Sequence, residues 1–334
     1  MTMHAVEQAP DSMSFADVVA LARDDMNAVD RVISASLQSD VELVSQVSEY
    51  IVMSGGKRLR PVIVLLAARA FGYRGEDHVR AAAIIEFIHT ATLLHDDVVD
   101  SSALRRGKDS ANTVFGNQAS VLVGDFLYSR AFQMMVDIGQ MRVMQILADA
   151  TNTIAAGEVM QLMNVHDPDT SEDAYRQVIY RKTARLFEAG AQIAAVLAGR
   201  NAADEAAMVA YGQNLGMAFQ LIDDALDFSA SREELGKNLG DDLAEGKATL
   251  PLIRAMESGS TRDRALIREA ILEGGIDRLD EITGIIDKTG ALDYTLARAQ
   301  EAADEAIAAL ADIPDSEFRQ ALIAIADFAV QRRS

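Results

Sequence analysis

Two short acidic segments are the residues in this chain best suited to chemistry. LLHDDVVD carries Asp96, Asp97 and Asp100, and LIDDALDF repeats the spacing with Asp223, Asp224 and Asp227. On an α-helix, residues four apart lie about 40° from one another around the axis and one turn apart, so the outer carboxylates of each box project together. Apolar residues border both boxes: Leu93, Leu94, Val98 and Val99 in the first, Leu221, Ile222, Ala225, Leu226 and Phe228 in the second. Carboxylates in such a setting must be paired or must hold metal. Oxygen donors without His or Cys suit Mg²⁺, which keeps several waters and bridges carboxylates to phosphates. A solvated helix end accounts for one such box, whereas two in apolar settings favour a site.

The bases are clustered as well. Lys57, Arg58 and Arg60 stand in GGKRLRP; Arg105, Arg106 and Lys108 follow the first box; Arg181, Lys182 and Arg185 stand in RKTARLF; and Lys237 and Lys247 follow the second box. These are 11 of the 31 Lys and Arg residues, in a chain with 51 Asp and Glu and a formal charge of −20. Such clusters beside carboxylates mean either ion-pair networks or a site for a highly charged anion. A diphosphate gripped by Mg²⁺ on one side and by bases on the other satisfies both groups. Gly55 and Gly56 allow a close backbone approach just before Lys57.

Helices must position these groups. Only five Pro occur in 334 residues, and the stripe Ile84, Ile85, Phe87, Ile88 and Ala91 has helical spacing. The pattern predicts helices over 14–36, 40–53, 60–71, 77–100, 117–138, 141–165, 172–198 and 203–228, with shorter ones over 248–332 and no period-two strand. Loops 101–112 and 229–247 carry the bases that follow each box. Residues 1–13 read as a frayed N-terminus and 14–334 as a single all-α domain. The acidic balance argues against nucleic acid and against electrostatic attraction to an anionic membrane. With no Cys there is neither a disulfide nor a thiolate nucleophile. The N-terminus lacks the pattern of a signal peptide, and the longest apolar runs, 61–71 and 189–199, fall short of the ~20 residues that span a bilayer. The expected location is the cytoplasm, with at most peripheral membrane contact.

In family order, GGKRLRP, EFIHTATLLHDDVVD, RRGKDSAN, VLVGDFLYSRAF, GEVMQL, YRKTARLFEAG, FQLIDDALDF and GKNLGDDLAEGKATLP resemble the trans (E-type) polyprenyl diphosphate synthases, specifically their octaprenyl to decaprenyl branch. The resemblance implies an isoprenoid synthase-type helical bundle around a deep central cavity, usually a homodimer. It implies Mg²⁺, about three ions per active site, held by Asp96, Asp97, Asp100, Asp223, Asp224 and Asp227. Arg105, Lys182, Lys237 and Lys247 are then expected on the allylic diphosphate, with Thr183 and Gln220 near its reacting carbons. Lys182, Thr183 and Gln220 are the residues expected to act in catalysis. Lys57, Arg60, His89 and Arg106 are expected to hold isopentenyl diphosphate without metal. The implied reaction is ionisation of the allylic diphosphate, head-to-tail attack by isopentenyl diphosphate and loss of a proton, repeated to a long product for a quinone side chain.

The growing chain needs an apolar wall, and the helix leading to Asp96 is the expected one. A turn rises about 5.4 Å, near the length of one extended isoprene unit, so Ala91 and Thr92 lie one unit below the box and Ile88 deeper. Leu127, Met134, Met135, Met160 and Met163 are candidates for the opposite side, though such Met residues are more often core filler. His95 is expected to be structural, and His4, His78 and His166 to lie on the surface or in loops. Shorter-chain synthases, terpene cyclases and non-catalytic subunits of a heteromeric synthase are the competing readings. A cyclase has no use for the GGKRLRP cluster, and a silent subunit is expected to lose box residues.

Overall fold

The three- and four-residue apolar spacing becomes helix nearly wherever it predicts one. The computed structural model describes residues 13–53, 55–229 and 240–331, so the frayed segment falls almost wholly outside the described residues. The helices are α1 (Phe15–Ser36), α2 (Glu42–Met53), α3 (Leu59–Ala70), α4 (Asp77–Val99), α5 (Ala111–Phe115), α6 (Asn117–Ile138), α7 (Met141–Asn164), α8 (Glu172–Ile179), α9 (Arg185–Leu197) and α10 (Ala202–Ser229), followed by α11 (Asp241–Ala244), α12 (Leu250–Ser258), α13 (Thr261–Glu273), α14 (Leu279–Thr289), α15 (Ala291–Ala309) and α16 (Glu317–Gln331). Local chemistry sets several ends. Ser14 with Asp17, and Ser260 with Asp263, form reciprocal caps at the starts of α1 and α13.

Two details depart from the sequence expectation. The loop after α4 contains two-residue strands, Leu104–Arg105 and Lys108–Asp109, paired antiparallel around Arg106 (φ 54°) and Gly107 (φ 75°). Strands this short leave no period-two signal. The helix expected over 172–198 is split by a π-helical turn, Tyr180–Ala184, between α8 and α9. Extra residues in a single turn of this kind re-aim side chains, and such turns recur at functional sites.

Helices α4 and α10 are the central pair. The first packs on α6 and the second on α9 and α15, with α3 bridging α4 to α9. Three buried apolar clusters surround them: one uniting α1 to α4 with α6, α7 and α9, one beneath α3, α9, α10 and α16, and one under α8, α10 and α12 to α15. Gly212 and Gly216 bring α10 against the π turn and α9, because a Cβ on Gly216 would meet Ala184 Cα at 2.4 Å and one on Gly212 would meet Phe187 O at 2.6 Å. No helix among the described residues is long and apolar enough to cross a membrane.

His78 is buried at 1% exposure, which corrects its reading as a surface residue. It packs under Tyr73 with its Nε2 3.3 Å from Asp25, and Asp25 also pairs with Arg69. Burial lowers the His78 pKa more than Asp25 raises it. The unfolded chain therefore takes up the proton first. The stability this site contributes is fully present above about pH 6.5 and declines as the pH falls below it. The melting temperature is expected to drop on acidification through this window and to do so less steeply in His78→Phe. Equal slopes for the two proteins would sink the assignment.

Candidate active site

Each acidic box lies at the C-terminal end of its helix, where the helix dipole disfavours negative charge. At the first box, cations brought from distant elements compensate. Arg105 Nε, from the hairpin, donates to Asp97 Oδ1 at 2.8 Å. Lys182 Nζ, from the π turn, lies 2.7 Å from Glu158 Oε2 and 3.5 Å from Asp96 Oδ2. Lys247 Nζ donates to Asp100 Oδ2 at 3.0 Å and also pairs with Glu245. Burial works against the charges on Lys182 and Lys247, but the surrounding carboxylates outweigh it and raise both pKa values.

Gly157 permits the pairing on α7. A Cβ there would stand 2.6 Å from Arg181 Cβ and 3.0 Å from the Lys182 backbone nitrogen, so only glycine lets α7 carry Glu158 up to Lys182. Gly157→Ala is expected to push the π turn outward, costing about 1–3 kcal/mol by overpacking, and to lower kcat severalfold beyond any loss of folded protein. Wild-type melting temperature and turnover in this variant would show that the contact is not restrictive.

A cleft of about 580 Å³ runs between these groups. Asp96, Asp100, Asp223, Asp241, Asp242, Glu86, Glu158 and Glu245 line it, facing Lys57, Arg58, Arg60, Arg105, Arg106, Lys182 and Lys247. His89, Thr92, Thr183 and Gln220 line it as well. Lys237 lies outside the described residues. Three of the six box carboxylates do not reach the cleft wall. Asp97 is fully buried on Arg105, Asp227 is fully buried and accepts from the Asp242 backbone N–H at 3.3 Å, and Asp224 is 2% exposed. Asp224 Oδ2 accepts from Tyr175 Oη at 2.5 Å and its Oδ1 from Gln220 Nε2 at 2.8 Å, while burial and the nearby Asp242 raise its pKa against the pull of these two donors. Glu158, Glu245, Asp241, Asp242 and Tyr175 have no role assigned from sequence, where Asp241 and Asp242 stand out only as part of the 229–247 loop. GEVMQL and GDDLAEGK hold four of them, without the repeated spacing that drew attention to the boxes.

The opposite corner of the cleft is basic. Gly56 (φ 132°) leaves room for Arg106, whose guanidinium carbon would be 2.6 Å from any Cβ at that position. Arg60 lies 4.4 Å above the Phe187 ring, and its Nη1 is 3.2 Å from His89 Nε2. Burial depresses the Arg60 pKa to about 10. Burial, then the charges of Arg60, Arg106 and Arg105, hold His89 well below its usual value, so it is neutral and accepts from Arg60. Arg60 Nε is buried without a hydrogen-bond partner, so an anion entering here finds an unused donor. Lys57 Nζ stands at the rim, 5.4 Å from the Phe328 ring centroid.

A second cavity of about 740 Å³ adjoins the first. Thr92, Asp96 and Glu158 belong to both, and Tyr128, Ser129, Phe132, Thr151, Ile154 and Ala155 extend the wall along α6 and α7. Of the three expected wall residues only Thr92 is on it. Ala91 and Ile88 are fully buried in the core instead. His95, expected to be structural, lines this cavity with its ring stacked on Tyr128. Leu127, Met134 and Met135 are core residues, and Met163 is 77% exposed.

The donors present fit a hard divalent cation that arrives with its own phosphate. No three carboxylates among the described residues converge enough to hold a metal alone. A diphosphate-bound Mg²⁺ or Ca²⁺ needs only one or two. Buried Asp97 Oδ2 and Glu158 Oε1 have no hydrogen-bond partner, which leaves acceptor capacity beside the mouth.

A helical bundle whose cleft sets a carboxylate-rich mouth against a basic corner defines a class of enzyme acting on diphosphates. The chain belongs to the polyprenyl synthetase family, whose profile matches residues 41–286. It is 54% identical over 321 residues to the octaprenyl diphosphate synthase of Escherichia coli, covering 96% of this chain and 99% of that one. Identity to the geranyl-diphosphate-specific all-trans-nonaprenyl-diphosphate synthase of Rhodobacter capsulatus is 47% over 317 residues, 95% and 97% of the two chains. The crystal structure of a polyprenyl synthase from Caulobacter crescentus, complexed with calcium and isoprenyl diphosphate, superposes with a TM-score of 0.93 at 47% identity, covering 98% of this chain and all of that one.

Proposed function

We propose that this protein is a long-chain all-trans polyprenyl diphosphate synthase, a prenyltransferase that adds isopentenyl diphosphate repeatedly to an allylic diphosphate. The observation that carries the reading is the adjacency of the two cavities: the charged cleft shares Thr92, Asp96 and Glu158 with a second cavity, where a growing chain has room. Asp96, Asp100 and Asp223 are the carboxylates in position to hold Mg²⁺ on the allylic diphosphate. Asp97, Asp224 and Asp227 support them from behind. When bound, Mg²⁺ supplies Lewis-acid stabilisation of the departing diphosphate.

Arg105, Lys182 and Lys247 add positive charge on the same side, so the C–O bond of the allylic diphosphate breaks toward them and leaves an allylic cation. Arg60, Arg106, Lys57 and neutral His89 hold isopentenyl diphosphate with its double bond toward that cation. Attack forms the new C–C bond, and the proton lost from the adjacent carbon passes to the departed diphosphate. No protein nucleophile is needed. The product slides along Thr92 into the second cavity for the next round.

The reading extends to a homodimer and to supply of a quinone side chain. Leu122, Val136, Val159, Leu162 and Met163 are all more than half exposed on α6 and α7, an apolar face suited to a second copy. Incubation with farnesyl diphosphate, isopentenyl diphosphate and Mg²⁺ is expected to give products of octaprenyl to decaprenyl length by chromatography. Termination at geranylgeranyl diphosphate would reject the long-chain assignment, and turnover without consumption of isopentenyl diphosphate would point to a cyclase.

A further inference from the structure

Behind the reacting side of the cleft lies a small cavity of about 120 Å³ whose wall includes Tyr175, Thr183, Gln220 and Asp224. These four form one hydrogen-bonded chain across three elements. Tyr175 Oη, from α8, donates to Asp224 Oδ2 at 2.5 Å. Gln220 Nε2, one turn earlier on α10, donates to Asp224 Oδ1 at 2.8 Å. Thr183 Oγ1, from the π turn, donates to Gln220 Oε1 at 2.8 Å. Tyr175 is 5% exposed, Asp224 2% and Thr183 8%, and Gln220 is partly buried between them.

The chain has a direction. Tyr175 Oη and Gln220 Nε2 each donate to one oxygen of Asp224, so the amide stands with its nitrogen on Asp224. The Gln220 carbonyl must then face Thr183. The single hydroxyl proton of Thr183 is spent on that carbonyl, and the Thr183 lone pairs are left for the cleft, which both Thr183 and Gln220 line. Lone pairs aimed at the reacting carbons stabilise a developing cation, whereas an O–H aimed there would oppose it. Burial and the neighbouring Asp224 raise the Tyr175 pKa well above its ordinary value, so Tyr175 keeps its proton and remains a donor.

We propose that Tyr175 is a positioning residue that fixes, through Asp224 and Gln220, the orientation in which Thr183 presents acceptor lone pairs to the allylic cation. Without the Tyr175 hydroxyl, Asp224 is free to rotate, the amide can invert, and the Thr183 proton can turn into the cleft. The inference rests on the prenyltransferase reading, since it needs a cation at that place. Tyr175 is not on the wall of the charged cleft, and no bond of this hydrogen-bonded chain reaches Arg60 or His89 in the basic corner. The effect therefore belongs in kcat and not in KM for isopentenyl diphosphate.

The test is a double-mutant cycle on the full-length protein with farnesyl and isopentenyl diphosphates at saturating Mg²⁺. Tyr175→Phe is expected to lower kcat about tenfold (about 1.4 kcal/mol), with KM for isopentenyl diphosphate unchanged. In a Thr183→Val background, where no hydroxyl remains to orient, the same change is expected to cost less than twofold. Equal losses in both backgrounds, or an unchanged kcat, would overturn the proposal. If Tyr175→Phe does not fold, Gln220→Met cuts the chain on the other side of Asp224. The same loss is then expected, again absent with Thr183→Val, and independent effects would overturn the proposal just as well. A wild-type protein without turnover removes the functional reading and the Tyr175 role together, whereas an active wild type with independent variants removes the Tyr175 role alone.

Discussion

Asp96→Asn is expected to reduce kcat by at least a thousandfold, about 4 kcal/mol in the barrier, even when Mg²⁺ is raised to saturation. Asp96 sits where the two cavities meet, and it shares Lys182 with Glu158. Removing its charge takes away a metal ligand and leaves a buried ammonium with one carboxylate where it had two. The first loss weakens the charge that draws off the diphosphate. Removal of a single preorganised donor to a developing anion already costs about a hundredfold to a thousandfold in enzymes of other kinds, so loss of a metal contact belongs at or above the upper end. The measurement is kcat against Mg²⁺ concentration for both proteins, with circular dichroism to confirm folding. Turnover within tenfold of wild type at saturating Mg²⁺ would mean that Asp96 is not a metal ligand.

Thr92→Phe is expected to shorten the product by several isoprene units while leaving the first condensations active. Thr92 lies one turn before Asp96 on the cavity face of α4, and its hydroxyl donates to the His89 carbonyl at 2.7 Å, so it is held in place at the junction. An aromatic ring there fills the passage between α4 and the Tyr128 to Phe132 wall. Ala91→Phe, at the other residue expected one isoprene unit below the box, is expected to behave differently. Ala91 is fully buried in the core, so a ring there overpacks the bundle at a cost of about 1–3 kcal/mol and leaves the product long. Chromatography of products from the two variants separates the possibilities. A full-length product from an active Thr92→Phe protein would put the elongation path elsewhere.

This difference was within reach of helix geometry alone. Residues four apart are offset by about 40°, but residues five apart by about 140°, which turns Ala91 away from Asp96. Thr92, His95, Asp96 and Val99 all line the second cavity, and they have the i, i+3, i+4, i+7 spacing of one helix face. The same calculation does not say which face meets a cavity and which meets a neighbouring helix. For α4 the question is acute, because apolar residues surround the helix on nearly every side. Its sequence marks it as central without marking which side is hollow.

By itself the sequence determined the helices, most to within one or two residues, the two carboxylate boxes and the basic clusters around them. Those are local properties: apolar spacing, caps and the identity of adjacent side chains act within a few turns of chain. Tertiary structure decided which box carboxylates reach the cleft, because Asp97, Asp224 and Asp227 are withdrawn by Arg105, Tyr175 and the Asp242 backbone. It decided the Lys247–Asp100 pair, whose members are 147 positions apart. It also decided the π turn that aims Lys182 and Thr183, through the close approach permitted by Gly157 and Gly216. Each of these depends on how far one helix is rotated about its axis and how closely a second one can approach. That is fixed by packing between segments remote in sequence, and no local pattern encodes it.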